Sequence, residues 1–286
     1  MAFLYETINN EVTITGYEGT VRHLQIPDCI DHFPVRAVAK SAFSRRKDLL
    51  YVRLPGTLRS LGLFAFYACT GLKRLSLYDS IADYYDGAFR QCTALEEIEI
   101  ELYNERYSIL RDLLAESDRT MRFFLHLPDG DARLLFPDYV LDFTEDTFAR
   151  AFHSSIVGTG FTYRECVNKN GISFREYDRM FDRLAAVNVK LAAETALERL
   201  SYPYSLSEQA RESYAAYIRE NDGAAVKLAV DHDRTDWLEQ LLKDRLLSNE
   251  AASEAAEYAS AAGKTMMVSM LLGVTAGERT SRRLSL

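Results

Sequence analysis

The 286-residue sequence is poor in cysteine, tryptophan and proline and carries no surplus of positive charge. Its four cysteines (Cys29, Cys69, Cys92, Cys166) form no Cys-x-x-Cys pair and are too sparse for a disulfide-built domain. Reduced thiols in a cytoplasm fit them best. No stretch approaches the roughly 18 apolar residues of a membrane span, and the opening MAFLYETINNEV lacks a basic segment followed by an apolar one. The expectation is a cytoplasmic, unexported chain with no membrane partner. A formal net charge of −8 argues against nucleic acid. The five histidines form no His-Glu-x-x-His, no serine stands in a nucleophile elbow, and neither Gly158-Thr159-Gly160 nor Gly263-Lys264-Thr265 has the spacing and context of a phosphate loop. The pattern offers no catalytic residue, no cofactor and no metal set, so it reads as a non-enzyme.

What the sequence does have is internal repetition. Ala-Phe pairs recur every 23 residues at Ala42-Phe43, Ala65-Phe66 and Ala88-Phe89. The same step carries Leu49 to Leu72 to Leu95, Val52 to Leu75 to Ile98, and Cys69 to Cys92. Such a period marks units that bury their apolar faces only by stacking on their neighbours. Within each unit, residues 49–55, 71–77 and 94–100 alternate apolar and polar as half-buried strands do. The phenylalanines read as stacking core. The opening EVTITGYEGTVRHLQIP reads as a capping hairpin turning at Gly16 to Gly19.

These residues carry a family resemblance. The stretch IPDCIDHFPVRAVAKSAFSRRKDLLYVRLPGTLRSLGLFAFYACTGLKRLSL resembles the BspA-type bacterial leucine-rich repeat, with the longer first unit marked by Ile30, Asp31, Pro34 and Val35. The resemblance spans about residues 12–102, with Arg46 where the later units have Cys69 and Cys92, and Tyr84 at an aliphatic position. It implies a binding solenoid of a kind often found at bacterial surfaces.

After the repeats, residues 104–117 suit an amphipathic helix with Ile109, Leu110, Leu113 and Leu114 on one side and Asn104 as its cap. Segments 121–127 and 132–141 flank Pro128-Asp129-Gly130-Asp131 as a hairpin that extends or closes the sheet, and a short helix is expected over 144–153. The C-terminal third is rich in Ala and Leu, with helices expected over 177–200 and 206–220, the latter capped by Ser205 or Ser207. A 30-residue offset then relates Ala225 to Ala255, Ala229 to Ala259, Leu238 to Val268 and Leu241 to Leu271, with a tight turn in which threonine caps the next helix. These helix pairs resemble ankyrin repeats. Asp231, His232, Asp233 and Asp236 form the densest polar cluster and read as a solvated turn rather than a metal site.

The expected fold is α+β: a short leucine-rich-repeat β-solenoid of about 3–4 units, then an all-α, ankyrin-like domain. The solenoid with its cap and closing elements takes 1–142, a connector 143–176, the helical domain 177–276 and a flexible tail 277–286. The outward positions of the repeat strands, Tyr51, Arg53, Arg74, Ser76, Glu97 and Glu99, form a ladder passing from basic to acidic and are the candidate protein-binding face. Ser44-Arg45-Arg46-Lys47 lies at a repeat corner and reads first as a solubilising loop, with steering of an acidic partner as the alternative. The leading reading is a monomeric, non-catalytic bacterial interaction scaffold whose partner is another protein. The alternatives are an exported surface or host-directed protein, and an enzyme or small-ligand receptor with a pocket at the domain junction around residues 140–180.

Overall fold

The computed structural model describes residues 2–146 and 151–281. They divide into two compact units, Met1–Tyr177 and Asp178–Leu286.

The first unit begins with β1 (Phe3–Ile8) and β2 (Glu11–Tyr17), an antiparallel hairpin. Its turn is Asn9-Asn10, with φ of 52° and 62°, a geometry that asparagine tolerates. The cap hairpin is therefore built from residues 3–17. It does not turn at Gly16 to Gly19: β2 buries Val12 and Ile14, while β3 (His23–Gln25) and the residue after it bury Leu24 and Ile26. The chain rounds a corner there, and β2 and β3 join different sheets. β4 (Cys29–Ile30) and β5 (Phe33–Val38) form the inserted hairpin of the longer first unit, turning at Asp31 and His32, both at positive φ.

Two further strand pairs repeat the corner, β6 (Tyr51–Arg53) with β7 (Ser60–Leu61) and β8 (Arg74–Tyr78) with β9 (Asp83–Tyr84), and β10 (Glu97–Glu101) follows as a single strand. α1 (Ser108–Ala115) follows, then β11 (Met121–Leu127) and β12 (Gly130–Phe136). One sheet has the order β1-β2-β5-β7-β9, with β4 beside β5, and the other β12-β11-β10-β8-β6-β3. In the second sheet Leu24, Val52, Leu75, Ile98 and Phe123 lie in register on neighbouring parallel strands, and all are buried. That register counts about five turns rather than three or four. The steps from Leu24 to Val52 and from Ile98 to Phe123 depart from 23 residues because the β4–β5 hairpin lengthens the first turn and α1 the last.

The turns on the third side hold the Ala-Phe column. Phe43 and Phe66 stack at 4.9 Å, and Phe66 and Phe89 at 5.1 Å, with rings within 6° of parallel. This spacing follows the roughly 4.8 Å between hydrogen-bonded strands. Cys69 and Cys92 are buried and donate to the carbonyls of Phe43 and Phe66, each at 3.1 Å. Arg46, one turn earlier, instead reaches the carbonyls of Tyr17 at 2.9 Å and Gly19 at 2.7 Å, pinning the entry loop.

α1 buries Ile109, Leu110, Leu113 and Leu114 as expected, but starts four residues later, at Ser108. Asn104 does not cap it. The fully buried carboxylate of Asp79 takes the Asn104 backbone N–H at 2.6 Å and its side-chain amide at 2.8 Å instead. β13 (Val140–Asp146) and β14 (Ala151–Val157) pair antiparallel, so the described part of 144–153 is extended and not helical. Their β-branched and aromatic content favours strand over helix. Residues 147–150 of that expected helix lie outside the described residues. α2 (Gly160–Glu165) and a small hairpin, β15 (Val167–Asn168) with β16 (Gly171–Ile172), lie in the stretch read as a connector, which falls within the first unit. Arg164 of α2 donates to the carbonyls of Pro137 and Arg119, each at 2.6 Å, and Tyr177 donates to that of Leu135 at 2.7 Å, tying the stretch to the end of the solenoid.

Along α3 (Phe174–Arg179) the chain passes into the second unit. The helix expected over 177–200 is broken into α4 (Phe181–Val187) and α5 (Val189–Ser201). Asn188 lies between them in extended conformation and accepts the Leu191 N–H at 3.0 Å as the cap of α5. Ser207 caps α6 (Glu208–Glu220), and α7 (Asp222–Asp231), α8 (Thr235–Lys243), α9 (Asn249–Ala261) and α10 (Thr265–Ser281) complete the unit. The 30-residue repeat holds at the turns: Asp233 (φ 55°) matches Gly263 (φ 72°), and the following amides of Arg234 and Lys264 return to Ala229 and Ala259 at 2.9 and 2.8 Å. Thr235 and Thr265 are the first helical residues rather than caps. α10 continues through Ser281, past the expected start of the tail at 277; residues 282–286 lie outside the described residues.

One buried and one half-buried arginine in this unit are paired with carboxylates, as low-polarity surroundings require. Arg199, fully buried, grips Asp178 at 2.9 and 3.1 Å, while Arg234 grips Glu198 at 2.7 and 2.9 Å.

Candidate functional site

The outer face of the second sheet collects the ladder read from the sequence. Because strand residues alternate faces, the row beside each buried apolar row must point outward. Tyr51, Arg74 and Glu97 stand in register on β6, β8 and β10, and Arg53, Ser76 and Glu99 form the next row. Arg53, Arg74 and Glu97 are exposed and Tyr51 and Glu99 half-buried. Ser76 is the exception, at 5% exposure, since its short side chain sinks between the longer Arg53 and Glu99.

The register continues onto β11 and β12, beyond the candidates read from the sequence. Arg122 follows Glu97 and Phe124 follows Glu99, while Tyr78, Glu101, His126 and Asp131 make a third row. The face therefore does not end acidic. It runs from basic (Arg53, Arg74) through acidic (Glu97, Glu99, Glu101) back to basic (Arg122, Arg133). Alternating polarity in 121–127 was the available signal, but only the strand order shows which rung each residue extends.

Neighbouring side chains hold these rows in place. The Arg74 guanidinium lies 5.5 Å above the Tyr51 ring, and Arg53 donates to the Tyr78 hydroxyl at 3.2 Å, which holds the guanidinium pKa above its usual value. Arg133 covers Phe124 at 4.2 Å. His126 bridges Glu99 at 3.2 Å and Asp131 at 3.0 Å. Partial burial works against its charge, yet the hydrogen bonds to the two carboxylates outweigh it and raise the imidazole pKa. Tyr103, 66% exposed, extends the face beside Tyr78, and its hydrogen bond to Glu101 raises its phenol pKa.

The acidic cluster of the second unit disperses. Asp231 accepts from the Tyr258 hydroxyl, Asp233 pairs with Lys264 at 2.7 Å, and Asp236 pairs with Arg234 at 2.7 Å. Among the described residues no group of three or more His, Cys, Asp or Glu is placed to hold a metal ion. The suggested pocket around 140–180 falls partly on residues outside those described.

A stacked solenoid with one in-register outer sheet is the architecture of leucine-rich repeats. Residues 21–112 match the BspA type leucine rich repeat region, in 6 copies. Similar solved structures include a leucine-rich repeat protein of T. pallidum, 29% identical over 34% of this chain and 50% of that one, with a TM-score of 0.29. A leucine-rich repeat protein of Bacteroides ovatus is 22% identical over 34% of this chain and 30% of its own, with a TM-score of 0.32. A leucine rich cell surface protein of Faecalibacterium prausnitzii is 27% identical over 35% and 33%, with a TM-score of 0.28. The chain thus spans half or less of the length of these three proteins. No curated protein matches it. Leucine-rich repeats generally mediate protein–protein interaction, and among the described residues no helix is long and apolar enough to cross a membrane.

Proposed function

We propose that the protein is a non-catalytic interaction scaffold that takes another protein on the outer face of its second sheet, through Tyr51, Arg53, Arg74, Glu97 and Glu99, with Ser76 as the shallow point between them. The observation that carries this reading is the register of outward charged and aromatic side chains from β6 to β11, interrupted at Ser76. Rigid strands present such rows without the ordering cost of a loop, and Tyr and Arg are the residue types that dominate interface energetics. A partner with a complementary acidic–basic–acidic strip fits the charge sequence. The helical unit adds ankyrin-like hairpins, a reading supported by the repeated turn at Asp233 and Gly263. The four cysteines form no disulfide among the described residues, which suits a reducing cytoplasm.

The test is affinity capture from a bacterial lysate with the intact chain and with an Arg53→Glu/Arg74→Glu variant, read by mass spectrometry. A captured protein that the variant loses at least about tenfold supports the reading, since reversing two interfacial charges places like charges together. Equal recovery by both chains sinks it.

A further inference from the structure

The third side of the solenoid carries a feature that stacking alone does not require. Two columns of residues there sit at positive φ, one residue per turn: Ser41, Phe64 and Gly87 at 56°, 56° and 73°, then Arg45, Ala68 and Gln91 at 63°, 55° and 62°. Serine and glycine serve the first column with little or no side chain to strain. A phenylalanine at φ 56° is an outlier for a bulky residue, and such strain persists where the surroundings enforce it.

What Phe64 does there is form a floor. Its ring is half-buried, meets Tyr67 edge-on at 5.2 Å, and lies over Gly87, where a Cβ would stand only 2.4 Å from the ring. The two rings floor an open cleft of about 690 Å3, and its walls are cationic. Arg45 stands on one side, exposed and without a side-chain hydrogen bond or ion pair among the described residues; Arg90 stands on the other, in an exposed pair with Asp86 at 3.1 Å. Ser41, Ser44 and Gln91 add hydrogen-bonding groups, and no carboxylate lines the cleft. In a chain of net charge −8 this is a local reversal of sign.

We propose that this cleft is a binding site for an acidic peptide segment of a partner protein, one in which a carboxylate side chain stands beside an aromatic or aliphatic one. The carboxylate would meet Arg45 and Arg90 in charge-assisted hydrogen bonds, and the apolar neighbour would lie on Phe64 and Tyr67. A bare phosphate would leave the aromatic floor unused. The site is separate from the outer face of the second sheet and does not rest on that reading.

The test is fluorescence anisotropy of the full chain at low salt, with a labelled Glu-Phe-Glu-Glu-Phe-Glu peptide as probe. The wild-type chain is expected to bind it about tenfold or more tightly than the matching Gln-Phe and Glu-Ser peptides, with about tenfold weaker binding in Arg45→Gln and Phe64→Asn. Asparagine tolerates the left-handed backbone, so Phe64→Asn should melt no lower than wild type and its loss of affinity cannot be ascribed to misfolding. Arg53→Glu/Arg74→Glu should stay within about twofold of wild type, which separates failure here from failure of the sheet-face reading. No binding at about 1 mM peptide, unchanged affinity in Phe64→Asn, equal binding of the Glu-Ser peptide, or full competition by inorganic phosphate would each overturn the proposal.

Discussion

Glu116 shows how one side chain ends a repeat. In each turn the phenylalanine N–H is taken by the alanine carbonyl of the next: Phe43 by Ala65 and Phe66 by Ala88, both at 2.8 Å. No further Ala-Phe turn follows Phe89, and its N–H goes to the Glu116 carboxylate at 2.6 Å. Burial raises the Glu116 pKa, more than the backbone hydrogen bond from Phe89 lowers it. A carboxyl raised on folding stabilises below its unfolded pKa, and that contribution is lost as pH rises through its folded pKa. At neutral pH the hydrogen bond is therefore made by a group that burial penalises. Glu116→Gln keeps an acceptor and removes the charge, so urea melts at pH 7 should show stability equal to or above wild type. Glu116→Ala orphans the Phe89 N–H and should lose about 1–3 kcal/mol. If the glutamine variant falls as far as the alanine one, this view of the cap is wrong.

At the scale of elements, the hairpin of β11 and β12 covers the edge of β10 and completes the charged face. His126 is its polar link to Glu99. Its raised pKa means that this link stabilises fully below the unfolded value of about 6.5 and fades as pH rises through the higher folded value. An NMR titration of the His126 ring should give a midpoint above about 6.5 that moves down in Glu99→Gln. A midpoint at or below the free value, or one indifferent to Glu99, contradicts the bridge.

The same elements show what was legible in the sequence. The strands of the 23-residue repeat, the hairpin at Pro128-Asp129 and the apolar side of α1 follow directly from periodicity and turn residues. The Asn9-Asn10 turn follows from the same turn chemistry, whereas the glycines at 16 and 19 mark a corner between two sheets and not a hairpin turn. The cap of α5 was masked because the helical pattern runs unbroken across Asn188, which only its extended backbone sets apart. Asp79 displaced Asn104 from the cap of α1 through a contact 25 residues away, which no local pattern records. The candidate face was legible for five outward side chains, while its second basic half needed the strand order.

For the whole molecule, the charge sequence matters more than the total. A chain of net charge −8 presents a face that is basic at both ends and acidic at its centre. In the proposed complex, charge of this kind would govern partner choice and encounter rate, and Tyr51, Tyr103 and Phe124 would supply apolar contact. About five turns make a short solenoid, so an interface confined to this face is small and suits a modest affinity unless a second surface contributes. The most direct test of the central claim is hydroxyl-radical footprinting of the intact chain alone and with its captured partner. The account predicts that labelling falls at Tyr51, Tyr78, Tyr103 and His126 while Tyr258 of the helical unit is unchanged. Undiminished labelling of those four residues in a formed complex would contradict it.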